Sequence, residues 1–126
     1  MIVDTGTALN ADRWLDAVGS IVEFADVRWI YLSHDDHDHV GNLARVLELA
    51  PQASLVTTWF SVERLAGDIR LPAERMRWVR HGESFDAGDR TLVAHRPPIF
   101  DAPTTRGLFD ATTGTVWWTG TGTGRS

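Results

Sequence analysis

The sequence contains no cysteine, so disulfides, iron–sulfur clusters and thiol catalysis are excluded. Any metal must be held by histidine and carboxylate side chains. Lysine is absent as well: all twelve basic residues are arginine, a coding bias before it is a sign of function. No basic run occurs, and the net charge is -5. Nucleic acid is therefore not an expected partner, because binding a phosphate backbone needs clustered positive charge. No apolar run approaches the ~20 residues of a membrane-spanning helix, and no charged-then-apolar leader opens the chain. These absences predict a cytoplasmic protein with no membrane partner.

What is present suits a globular domain. The 126 residues are 43% hydrophobic and 23% charged, enough to bury roughly two-thirds of the unfolded surface in one core. Ile2-Val3 before Asp4-Thr5-Gly6 reads as a strand breaking into a turn. Asn10 is placed to cap a helix bearing Leu15, Val18 and Val22. Residues 28–33 read as a buried strand, and Leu43, Leu47 and Ala50 trace a helical stripe from Val40 that Pro51 ends. Residues 54–58 form a second buried strand, and 61–66 a short helix closed by Gly67. After Pro72 the chain turns strand-rich, with strands predicted at 76–79, 91–94 and 115–119 between turn signals. The pattern predicts an α/β layered domain with a mixed sheet. The Gly-Thr tail from 120 to 126 holds no core-forming residue and is expected to be poorly ordered.

One stretch stands apart. "IYLSHDDHDHVGN" (30–42) packs three histidines and three aspartates into His34 to His39, and no arginine lies between Arg28 and Arg45. Carboxylates that close repel one another unless a cation neutralises them, and a metal ion is the obvious one. The strand before the cluster and the helix after it place it in a loop at the carboxyl end of a strand, the usual ligand position in open α/β sheets. Extended backbone there would point His34, Asp36 and Asp38 the same way. Imidazole with carboxylate suits zinc, iron, manganese or nickel. His81 lies at a turn and is a weaker ligand candidate. Asp101 and Asp110 are acids in loop contexts, where turn roles are commoner.

His34-Asp35-Asp36-His37-Asp38-His39, between a hydrophobic strand and "VGNL", resembles the His-x-His-x-Asp-His metal signature of the metallo-β-lactamase superfamily. Asp36 stands in the place of the second histidine, and a carboxylate there marks the flavodiiron-like branch, where Glu is usual and the metals are iron. "IVDTG" (2–6) resembles the strand-turn before the first helix of that fold. "AHRPPIFDAPTTRGLFD" (94–110) resembles the segment that carries the next metal histidine.

The resemblance implies a partial metallo-β-lactamase αββα sandwich over residues 1–119, roughly the first metal-binding half, cut at both ends. It implies one metal held by His34, Asp36 and His95 and another by Asp38 and His39, with Asp4 supporting the ligands from below. The cofactors implied are one or two divalent metals, zinc or iron, with manganese a third choice. The activity implied is hydrolysis by metal-activated water, Asp38 orienting that water or taking its proton, on a small-molecule substrate. The alternatives are a flavodiiron-like module that binds oxygen or nitric oxide, and a non-catalytic truncated remnant. No acid follows Asp110, and the place of the family's bridging Asp, after "TVWWTG", holds none. An interrupted sheet would expose Trp117 and Trp118, so self-association or a partner completing the fold is also expected.

Overall fold

A computed structural model describes residues 1–97 and 104–117. In chain order the elements are β1 (Ile2–Val3), α1 (Ala11–Gly19), β2 (Trp29–Tyr31), α2 (His37–Val40), α3 (Leu43–Leu49), β3 (Ser54–Thr57) and α4 (Trp59–Leu65). Then come β4 (Met76–Trp78), β5 (Ser84–Asp86), β6 (Thr91–His95), β7 (Gly107–Asp110) and β8 (Thr115–Trp117).

The strands divide between two four-stranded sheets, β1-β2-β3-β4 and β5-β6-β7-β8. The first is parallel throughout, with Ile30 opposite Ile2 and Leu55, and the second is an antiparallel meander. Successive side chains of a strand face opposite sides, and both sides of the first sheet are covered. Ile30, Leu32 and Leu55 join Leu43, Val46, Leu47 and Leu65 in a core between the sheet and its helices. Tyr31 and Val56 face the other way, onto Phe85, Leu92, Ala94 and Leu108 of the second sheet. A parallel strand buried on both faces reads as a continuous apolar run, which is why Trp29 to Leu32 shows no alternation.

Several expectations are corrected. The helix foreseen from Val40 to Ala50 is broken into α2 and α3 by Gly41 and Asn42. Asn10 makes no side-chain cap; Thr7 caps a short 3-10 turn, Ala8–Asn10, by accepting the Leu9 N–H. The helix foreseen from Ser61 begins at Trp59, because Thr58 accepts the Ser61 N–H and starts it earlier. β5 and β7 were not foreseen. Trp117 is indeed exposed, whereas Trp118, Thr119 and the tail 120–126 lie outside the described residues. Among the described residues no helix is long and apolar enough to cross a membrane.

The loop after β1 is clamped onto the start of α2. The Thr5 N–H and hydroxyl both donate to the His39 carbonyl, at 2.7 and 2.9 Å. Asn42 Nδ2 donates to the carbonyls of Thr5 and Thr7. Gly41 lies so near residues 6–8 that a Cβ there would collide with their backbone. A glycine and an asparagine therefore do two jobs, breaking the helix and admitting the loop.

Candidate metal centre

The cluster follows β2 at the carboxyl edge of the parallel sheet. His34 and Asp35 are buried, while the Asp36 side chain is 51% exposed and that of Asp38 66%. Among the described residues, the candidate donor atoms of His34, Asp35 and Asp36 all lie within 4.8 Å of one another. His34 Nδ1 accepts the Asp36 N–H at 3.3 Å and lies 3.4 Å from Asp36 Oδ2. The His34 and His39 rings meet edge to face, with centroids 5.2 Å apart.

Asp4 organises the other side. Its backbone takes the left-handed conformation, φ 60°, which aspartate tolerates better than most residues. Held there, its carboxylate accepts from the backbone N–H and hydroxyl of Ser33. It also lies 2.9 Å from His39 Nδ1. With Nδ1 engaged, the His39 Nε2 faces Asp38, whose Oδ1 is 3.6 Å away. A carboxylate behind a histidine is the usual device for orienting a metal ligand and raising its basicity.

The hydrogen bond from Asp4 raises the His39 pKa above its ordinary value against the opposing effect of burial, and the charges of Asp4, Asp38 and Asp36 add to the rise. The folded metal-free chain therefore holds this proton more tightly than the unfolded chain does. That contribution to stability is fully present below about pH 6.5 and is lost as the pH climbs through the raised value. The denaturation midpoint of the metal-free chain is expected to fall over that interval. Asp4→Asn should flatten the change; an unaltered profile in that variant would refute the coupling. A metal competes with the same proton, so its affinity should weaken as the pH drops.

Not every predicted ligand joins the cluster. Asp38 is helical, so the extended alternation foreseen through it ends at Asp36. His95 ends β6, paired with Gly107, and its ring lies where a Cβ on Gly107 would go. Ala94 and Leu92 face the core between the sheets, so the pleat turns His95 to the other face. His81 accepts the Arg96 N–H at 2.8 Å. Asp110 is buried against Arg90 at 2.9 Å, at the far end of β7 from Gly107, and Asp101 lies outside the described residues. Nothing in the sequence pattern gives Asp35, Arg64 or Thr104 a role of its own. Asp35 falls in a spacer position, and no spacing marks its two partners. A cleft of about 720 Å³ runs beside the cluster, lined by Asp36, His37, Val40, Arg64, Leu65 and Ile69 among others.

No protein-family model matches the chain. A diflavin flavoprotein A 1 of Thermosynechococcus vestitus is 29% identical over 117 residues, 92% of this chain and 20% of the relative. The anaerobic nitric oxide reductase flavorubredoxin of Salmonella typhi is 22% identical over 104 residues, 82% of this chain and 22% of the relative. The chain thus spans about a fifth of these curated relatives. Among solved structures, the flavodiiron protein of Giardia intestinalis superposes with a TM-score of 0.81 at 17% identity, over 92% of this chain and 28% of the other. A metallo-β-lactamase of Cronobacter sakazakii superposes with a TM-score of 0.72 at 21% identity, over 90% of this chain and 50% of the other. The chain has a partial metallo-β-lactamase fold and is similar in sequence to the diflavin and flavorubredoxin flavoproteins.

Proposed function

We propose that this flavodiiron-like domain binds one or two divalent metals through His34, Asp36, Asp38 and His39, iron before zinc, and serves chemistry on a small molecule such as oxygen or nitric oxide. The observation that carries the reading is the convergence of His34 and Asp36 beside a His39 already oriented by Asp4. The donor set fits a metal: two imidazoles and exposed carboxylates, with the Arg64 guanidinium engaged by Asp35. Replacing histidine by Asp36 makes the set harder, which favours iron or manganese. The flavorubredoxin relative is a nitric oxide reductase, which points the same way. His95, which pairs with Gly107 one residue beyond the Arg106 N–H that bonds the Ser33 carbonyl, is a further candidate ligand.

Within this reading the metal supplies redox or Lewis-acid chemistry when bound. Asp4 holds the His39 ring and keeps Nδ1 from rotating into the site. Asp38, exposed beside His39, takes or returns a proton at its carboxylate. Residues 1–119 act as one domain.

A second reading is a metallohydrolase acting on an ester, thioester, amide or phosphodiester. The adjoining cleft favours it, since about 720 Å³ is room for a small organic molecule.

Elemental analysis of the purified, folded chain tests the choice. Iron at about one or two per chain, with optical bands that respond to oxygen or nitric oxide, is the expected result. Zinc alone, with no such bands, would move the conclusion to the hydrolase. Folded chain with no metal after reconstitution would overturn both and leave a non-catalytic remnant.

A further inference from the structure

Asp35 sits between His34 and Asp36, yet its carboxylate is taken up by protein partners. Its side chain is only 1% exposed. Oδ1 accepts a hydrogen bond from Thr104 Oγ1 at 2.7 Å, and Oδ2 forms an ion pair with Arg64 Nε at 2.8 Å without making a hydrogen bond. A carboxylate withdrawn from water is costly unless paired, so this one depends on the Thr104 hydroxyl and on the charge of Arg64. These partners come from separate parts of the fold. Arg64 stands on α4, with more than half of its side chain in solvent. Thr104 belongs to the buried run Thr104–Arg106 that leads into β7. The same run holds the other end of the loop, because the Arg106 N–H donates to the Ser33 carbonyl at 2.8 Å. Residues 33 to 35 are thus fastened from the helix layer on one side and from the second sheet on the other.

The arrangement has a consequence for the ligands. The donor atoms of His34, Asp35 and Asp36 are all within 4.8 Å, so Asp35 is near enough to compete for a metal. The Arg64 guanidinium holds one of its oxygens and the Thr104 hydroxyl the other. We infer that Asp35 is a positioning residue rather than a ligand, and that its contacts with Arg64 and Thr104 set the spacing of the His34 and Asp36 donors. This rests on the metal reading of the cluster given above. Arg64 also lines the cleft, so the residue that holds Asp35 is reachable from solvent and from any molecule bound there.

Cobalt(II) titration of the metal-free chain tests the inference, with the visible bands of bound cobalt reporting ligand geometry. Arg64→Met is expected to weaken cobalt binding about 10- to 100-fold, the usual effect of losing a partner behind a ligand, and to shift the bands as Asp35 moves. Arg64→Lys keeps the charge and should restore most of the affinity and the parent bands. Thr104→Val should give the same direction of change, and decides the matter if Arg64→Met does not fold. Parent-like affinity and bands in the Arg64→Met and Thr104→Val variants would overturn the inference alone. So would weaker binding with unchanged bands that lysine does not rescue, since that is a general loss of structure. A parent chain that takes up neither cobalt, zinc nor iron would overturn the metal reading itself, and the inference with it.

Discussion

Replacing His39 with alanine is expected to weaken metal binding by more than about 100-fold, since even partners outside the ligand set cost 10- to 100-fold. The expectation follows from how much converges on this one ring. Its Nδ1 is 2.9 Å from Asp4, its Nε2 3.6 Å from Asp38, and its ring meets that of His34 edge to face. The best readout is the difference in melting temperature between the metal-loaded and metal-free chain. A metal at about 100 times its dissociation constant stabilises the folded state by about 2.7 kcal/mol, and that difference should vanish in the variant. The comparison corrects for any loss the substitution causes in the metal-free state, where the Asp4 contact also goes. Undiminished metal per folded chain in His39→Ala would sink the assignment of His39 as a ligand.

The second large effect concerns the scaffold. Leu55→Ala should destabilise the metal-free chain by about 2–5 kcal/mol, a substantial part of the roughly 5–15 kcal/mol that a domain has in all. Leu55 is fully buried at the middle of β3, opposite Ile30 and Met76. It packs in the layer that also holds Val46 and Leu47 of α3 and Leu65 of α4. The cavity would open beneath the helix that carries Arg64. A urea titration should show a lower midpoint with little change in slope. A loss below about 1 kcal/mol would mean that the helix–sheet layer collapses around the gap or contributes less than its burial implies.

These two effects separate what each part of the chain does. Leu55 acts on folding whether or not metal is present, and His39 acts chiefly on the bound state. A variant with the stability of the parent and no metal would be the signature of a site residue; the reverse would mark a residue of the scaffold.

Much of the first sheet was legible in the sequence. Trp29 to Leu32 and Ser54 to Thr57 are apolar enough, for long enough, that burial on two faces was the natural reading. β5 and β7 were not legible. Ser84–Asp86 offers one large apolar residue, Phe85, and Gly107–Asp110 begins with a glycine. Neither has a pattern of its own, and both become strands by pairing with β6. The break between α2 and α3 was hidden for a similar reason. The stripe from Val40 to Ala50 looks continuous, and only the arrival of residues 5–8 explains a glycine and a buried asparagine there.

The sequence by itself determined where the candidate site lies and which donors it can offer. With no cysteine, and with His34 to His39 in one loop, the donors can be only imidazole and carboxylate. That follows from composition and spacing, which chain connectivity carries unchanged into the fold. Tertiary structure decided the surroundings of each member. Asp35, Asp36 and Asp38 are one residue type within four positions, yet Asp35 is buried against Thr104 and Arg64 while the other two are exposed. His95 matches the motif but lies on the second sheet, turned from the core between the sheets. A side chain's surroundings depend on partners 35 or 69 residues away, as with Asp4 and Thr104. Only packing the two sheets and the helices together brings those partners within bonding distance.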